Sequence, residues 1–184
     1  MRAVVLVEGV SDRIAVETLA ARRGRDLEAE GAAVVALDGA GNIRSALDHF
    51  GPKGLGLRLA GLYDAGEENW FRRGLEHAGL RPGPGRPELE RLGFFVCVQD
   101  LEDELIRALG VGTVEDVVAA QGELRSFRTL QKQPAQRNWT LEAQLRRFLG
   151  THSGRKARYA EALVQALDLE RVPRPLDLVL ERVA

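Results

Sequence analysis

Val4-Val5-Leu6-Val7-Glu8-Gly9-Val10-Ser11-Asp12 decides how the chain begins. An apolar run breaks at Glu-Gly, and a Ser/Asp start signal then opens the helical pattern Ile14, Val16, Leu19, Ala20. The stretch reads as strand, tight turn, helix. Glu8 therefore falls at the carboxyl end of a buried strand, the edge at which open α/β sheets bind ligands. Gly9 is expected to free the turn from a Cβ clash, and Asp12, one helical turn in, can face the same spot. Ser11 or Asp12 can equally serve only as helix N-terminal caps, where such side chains are favoured.

The same pattern repeats along the chain. A second strand is expected over Ala33 to Leu37, followed at once by Asp38; Gly39-Ala40-Gly41-Asn42 then turns into a helix with Ile43, Ala46, Leu47 and Phe50, closed by Gly51-Pro52. A third strand, Leu57 to Leu62, includes Gly61 for close packing. It ends in Tyr63-Asp64-Ala65-Gly66-Glu67-Glu68, before a helix carrying Trp70, Phe71, Leu75 and Ala78. Arg81 to Pro87, rich in proline and glycine, is expected to be a mobile surface loop. A fourth strand, Phe94 to Val98, leads into Asp100-Leu101-Glu102-Asp103-Glu104 and a further helix. Each strand is thus followed by a carboxylate, at Glu8, Asp38, Asp64 and Asp100. Alternation of strands with helices implies a parallel sheet, which lines those ends along one edge. Asp100 with Asp103 is also an ordinary capping arrangement.

Composition narrows the class. The 184 residues suit one well-buried domain with a helical extension, and the single cysteine, Cys97, lies in an apolar strand, so a buried thiol and a reducing, cytoplasmic home are expected. No apolar stretch reaches membrane-spanning length and no leader pattern opens the chain. After Asp38 the dinucleotide fingerprint lacks its third glycine, and no Gly-Lys-Ser/Thr loop occurs, so a nucleotide cofactor is not expected. The net charge of −1 hides an asymmetry: residues 1–122 carry fourteen Lys/Arg against twenty Asp/Glu, residues 123–184 twelve against seven. Between Arg125 and Arg158, nine basic residues face one acid, Glu142.

Crowded carboxylates repel one another and hold their protons more tightly unless cations sit among them. An oxygen-rich, histidine-poor cluster suits hard ions, Mg²⁺ or Mn²⁺, rather than zinc. His49 and His77, late in expected helices, and His152, in a loop, read as structural residues.

These residues resemble a known family. Val7-Glu8-Gly9-Val10-Ser11-Asp12 is similar to the Glu-Gly-x-Ser-Asp signature of Toprim domains, and Leu62-Tyr63-Asp64-Ala65-Gly66-Glu67 stands where that family has Asp-x-Asp. Asp100-Leu101-Glu102 and Ser153-Gly154-Arg155-Lys156 extend the resemblance to the nuclease domain of the OLD (overcoming lysogenization defect) endonucleases, over about Arg2 to Leu167. The resemblance implies that Glu8, Asp12, Asp64 and one of Asp100 or Glu102 hold divalent metal, and that Lys156 faces the scissile phosphate. Gly66 stands where a second Asp is usual, so that ligand comes from Glu67, from Glu68, or not at all.

The expectation is a three-layer α/β Toprim-like domain with a mainly parallel four-stranded sheet, a catalytic core over residues 1–112 and a basic helical extension over 113–184. Its expected activity is metal-dependent endonucleolytic cutting or nicking of DNA with two Mg²⁺ or Mn²⁺ ions, with Glu8 also able to shuttle a proton. Arg125, Arg128, Lys132, Arg146, Arg147 and Arg155 are expected to track nucleic-acid backbone. Trp139 could stack a base, although its spacing suits the core. An ATPase partner could act in trans. The alternatives are a Toprim ribonuclease trimming structured RNA and a non-catalytic nucleic-acid-binding module.

Overall fold

Every residue of β1 (Ala3–Val7) is buried, as a central parallel strand covered on both faces requires. The structure, a computed structural model, describes residues 1–151 and 154–184. His152 and Ser153, the latter part of the late motif, lie outside the described residues. After β1 come α1 (Val10–Arg22), β2 (Ala32–Ala36), α2 (Ile43–Phe50), β3 (Arg58–Asp64), α3 (Glu68–His77), α4 (Arg86–Arg91) and β4 (Phe94–Cys97). The remainder is helical: α5 (Leu101–Leu109), α6 (Val111–Ala120), α7 (Leu124–Gln131), α8 (Leu141–Leu149), α9 (Arg155–Ala166) and α10 (Arg174–Arg182).

The four strands form one parallel sheet in the order β2-β1-β3-β4. From β1 the chain first winds one way to β2, then returns to the other side for β3 and β4. The reversal puts a crevice between the carboxyl ends of β1 and β3, the topological switch point where open sheets take ligands. Side chains alternate across the sheet with the two-residue period of a strand. Val4, Leu6, Leu59, Tyr63 and Phe94 pack against α2, α3 and α4. Val5, Val7, Leu62, Phe95 and Cys97 pack on the other face.

That second face is closed by the C-terminal helices. Leu163 and Val164 of α9 and Leu176, Val179 and Leu180 of α10 are fully buried in the same cluster as β1, each such side chain contributing about 1.5–3 kcal/mol of burial. The division at residue 112 falls inside α6, and the apolar cluster crosses it without a break. Arg155 and Arg158 both reach Glu123, which also accepts from the Tyr159 hydroxyl at 2.8 Å, tying α9 to the start of α7.

Several local expectations are corrected. β3 runs two residues further than its apolar run, so Asp64 is its last residue. The expected loop Arg81 to Pro87 stops short, because Arg86 and Pro87 open the helix Arg86–Arg91, and in the turn before it the carbonyls of Gly83 and Gly85 accept from the Arg72 guanidinium. Gly9 has extended backbone (φ −139°), open to any residue, and a Cβ there would meet nothing closer than 3.8 Å. Gly61 is different: a Cβ would lie 2.7 Å from the Phe94 ring and 2.8 Å from the Leu6 carbonyl, so the β1–β3–β4 contact needs glycine. Among the described residues, no helix is long and apolar enough to cross a membrane.

Candidate metal centre

Glu8 leaves β1 at the switch point, and its Oε2 is buried without a hydrogen-bond partner among the described residues. Burial raises its pKa, and the charges of Glu67, Glu102 and Asp100 push the same way against Lys156. Asp12, in the first turn of α1, accepts from the Gly9 N–H at 2.9 Å and so does serve as a helix cap. Capping does not exhaust its role. Burial, aided by Glu102 and Glu8, carries its pKa up to about 7 despite that hydrogen bond. Asp64, across the crevice, is pushed up to about 8 by burial and then by Glu8, Asp12, Asp100 and Glu102.

The other carboxylates divide sharply. Glu67 bears on Glu8 more than any other charge, whereas Glu68 turns away to Arg72 (3.1 Å) and Arg86 (3.2 Å). Burial of Glu68 would favour its proton, but those two guanidinium groups win and hold its pKa below the usual range. Glu102 is 7% exposed, and both its oxygens lie 3.2 Å from Lys156 Nζ. Burial works against the charge of that lysine, yet Glu102, Asp100 and Asp12 outweigh it and raise its pKa. Asp100 caps α5 by accepting from Asp103 N at 2.8 Å, and its second oxygen accepts from Arg146 Nε at 2.6 Å. Asp38 takes no comparable part: it is exposed, its backbone is left-handed (φ 55°), and it is not among the main charges on Glu8, Asp12 or Asp64. The sheet-edge recurrence therefore gathers three of its four members.

The donor chemistry fits a hard divalent cation. Two acids whose pKa values burial and neighbouring negative charge lift to about 7 and about 8, beside a Glu8 oxygen buried without a partner among the described residues, are what a bound cation would relieve. Among the described residues, no three His, Cys, Asp or Glu side chains already close on a common point as a ligand cage. Lys156 and Arg146 occupy Glu102 and Asp100 instead. A cavity of 420 Å³ opens beside Asp100 and Lys156, lined also by Gln99, Trp139, Arg146 and Arg147. The larger cavity, 940 Å³, lies by Gly24, Gly31 and Ala32 at the amino end of the sheet, away from these carboxylates.

A family model described as "Overcoming lysogenization defect protein-like, TOPRIM domain" matches residues 1–65, the segment from β1 through β3 that carries Glu8, Asp12 and Asp64. Over that segment the chain is similar to an OLD-like Toprim domain. The C-terminal region of the Xanthomonas campestris pv. campestris OLD protein superposes with a TM-score of 0.68 at 26% identity, covering 99% of this chain and 93% of that one. For the C-terminal region of the Burkholderia pseudomallei OLD protein the TM-score is 0.68 at 22% identity, over 99% and 96% of the two chains. No curated protein matches the chain.

Around the Toprim core, the basic residues are not one uniform surface. Arg155 is 7% exposed, stacked with its guanidinium 4.2 Å from the Phe148 ring centre and bonded to Glu123 and Thr151, so it is a structural residue rather than a backbone-tracking one. Arg128 pairs with Glu115 at 2.6 Å, and Arg146 is tied to Asp100. Arg125, Lys132 and Arg147 are exposed and make no ion pair among the described residues. His77 meets Asp48 at 3.3 Å and His49 packs edge-on against Phe50, both in the last turns of their helices. Trp139 is not core: it is 47% exposed. A signal was available, since Thr140 caps α8 by accepting from Ala143 N, which leaves Trp139 outside the helix and off its Leu145–Phe148 stripe. Gln99 carried no such signal.

Proposed function

We propose that the chain is a divalent-metal-dependent phosphodiesterase that nicks or cuts DNA at the carboxyl edge of its sheet. OLD-like Toprim similarity associates it with nucleases acting on nucleic acid. The observation that carries the finer reading is the Glu8 oxygen, buried without a partner among the described residues, whose carboxylate acts on both Asp12 and Asp64 and helps lift them to about 7 and about 8. A bound cation would draw those protons off at a lower pH than water alone does.

Glu8, Asp12, Asp64, Glu67, Asp100 and Glu102 are the residues that would hold the metal, two Mg²⁺ or Mn²⁺ ions. When bound, the ions would lower the pKa of an attacking water and neutralise phosphoryl oxygens. The chain supplies the rest. Glu8 accepts the water proton through its carboxylate, which burial makes a better base than a solvated one. The water oxygen bonds to phosphorus in line with the bridging P–O bond that breaks, and the departing sugar oxygen takes a proton from solvent water. Lys156 brings fixed positive charge to the phosphoryl oxygens as that charge builds. Arg147, with Arg125 and Lys132 farther along, holds backbone phosphates on either side. A reducing cytoplasmic setting suits the buried Cys97, and an ATPase partner in trans would add regulation rather than chemistry.

The test is supercoiled plasmid with Mg²⁺ and then Mn²⁺, comparing the wild-type chain with Glu8→Ala. Nicked or linear product that disappears in the variant is expected. Equal cutting by both proteins, or none by either in the presence of an ATPase partner, would overturn the proposal.

A further inference from the structure

We infer that the 420 Å³ cavity beside Asp100 is a nucleobase subsite, in which Trp139 stacks an unpaired base next to the phosphate being cut. The inference rests on the phosphodiesterase reading and adds to it a substrate class: strands with at least one unpaired nucleotide at the cleavage point, such as a single strand, a flap, a frayed end or a locally unpaired stretch of supercoiled plasmid.

Large aromatic side chains are normally taken out of water, and half of the Trp139 indole is left in it, at a polar cavity rather than over an apolar groove. The cavity volume lies in the range of small-ligand sites, roughly 300–1,000 Å³. Its polar groups are arranged rather than scattered. Arg146 bonds Asp100 Oδ2 through Nε and Gln99 Oε1 through Nη1 (2.7 Å), so the acceptor of Gln99 is used and its Nε2 donors remain for a base carbonyl or ring nitrogen. The two acids of the wall closest to the carboxylate edge are answered, Asp100 by Arg146 and Asp103 by Arg107 at 2.9 Å. Arg147 is left to meet a phosphate.

Position supplies the remaining step. Lys156 lines this cavity and pairs with Glu102, and Asp100 belongs both to the cavity wall and to the charges acting on Asp64. A phosphate at the carboxylate edge therefore has its neighbouring nucleoside at Trp139. A base inside a duplex is covered on both faces by its neighbours and cannot present one to an indole, whereas an unpaired base can.

The chain has two tryptophans, Trp70 and Trp139, so a Trp70→Phe background isolates the signal. Glu8→Ala is added so that the strand is bound and not cut. Titration with oligothymidylate, in deoxy and ribo forms, and with a blunt duplex of equal length should quench Trp139 emission for the single strands only. Trp139→Ala should weaken single-strand binding by about tenfold, the scale of one stacked base, leave duplex binding unchanged, and be rescued by Trp139→Phe. Single-strand binding without quenching, or with unchanged affinity in Trp139→Ala, would overturn the subsite while leaving plasmid nicking, and the function drawn from it, intact. Failure of both binding and nicking would overturn both.

Discussion

Lys156 Nζ donates to Glu102 Oε2 at 3.2 Å, joining the first turn of α9 to the first turn of α5 across fifty-four residues of chain. A lysine at a helix N-terminus opposes the helix dipole, and the half-buried site adds a desolvation cost. Glu102 offsets both. The cation is thereby held within the carboxylate edge, where a phosphate could take it over.

Lys156→Ala is expected to slow cleavage by roughly 10²–10³-fold, the scale of one lost transition-state donor, with a much smaller change in DNA affinity. Single-turnover rates and equilibrium binding measured side by side separate the two. A loss confined to affinity would make Lys156 an ordinary phosphate contact.

Stability of the metal-free protein should fall with rising pH. Asp12 and Asp64 titrate at about 7 and about 8 when folded, above the 3.8 of an unperturbed aspartate. Between about pH 4 and pH 8 the folded chain therefore keeps protons that the unfolded chain has released, and stability is lost as pH climbs through that window. Thermal unfolding in EDTA from pH 5 to pH 8.5 reads the slope. Mg²⁺ should restore more stability at pH 8 than at pH 5.

Asp64→Asn should flatten that slope and raise the metal-free Tm at pH 8, by roughly 2–4 °C for each kcal/mol relieved, while abolishing cleavage. A variant that cuts normally would remove Asp64 from the metal site.

Glu67 and Glu68 should behave differently despite adjacency. Glu67→Gln is expected to raise the Mg²⁺ requirement at least about tenfold, whereas Glu68→Gln loses only partly exposed pairs with Arg72 and Arg86, worth about 0–1 kcal/mol. Metal titrations of cleavage decide. Equal effects would mean that Gly66 is compensated by neither residue in particular.

Arg155→Ala should destabilise the fold by about 2–4 kcal/mol, because it strips a buried pair from Glu123 and a cation from the Phe148 face. Arg147→Glu should leave the Tm unchanged, weaken DNA binding and reduce its salt slope by about 1. Denaturation curves and affinities across a salt series check the pair. An undisturbed slope in Arg147→Glu would make that face merely solvated.

What the sequence by itself determined is what short-range chemistry controls. The four strands, the helices after them and the carboxylates at Glu8, Asp64 and Asp100 follow from apolar runs, their two- and 3.6-residue periods and the breaks that end them. Strand order does not. The reversal at β1 arises from packing helices on both faces, and it makes Glu8 and Asp64 neighbours; β2 flanks β1 as well, so it is the left-handed, exposed backbone at Asp38 that leaves that carboxylate outside the cluster. Likewise nothing local distinguishes Arg155 from Arg147, or Glu67 from Glu68. Each is one more charge on a polar helix or turn until a distant partner, Glu123 for Arg155 or Arg86 for Glu68, claims it. The indole of Trp139 had the size of a core residue; the Thr140 cap took it off the α8 stripe, and the path from α7 to α8 left it in water at the cavity that Lys156 also lines. Ion pairs between residues far apart in sequence depend on how whole layers dock, so the tertiary structure alone assigned which charges are occupied and which remain for a ligand.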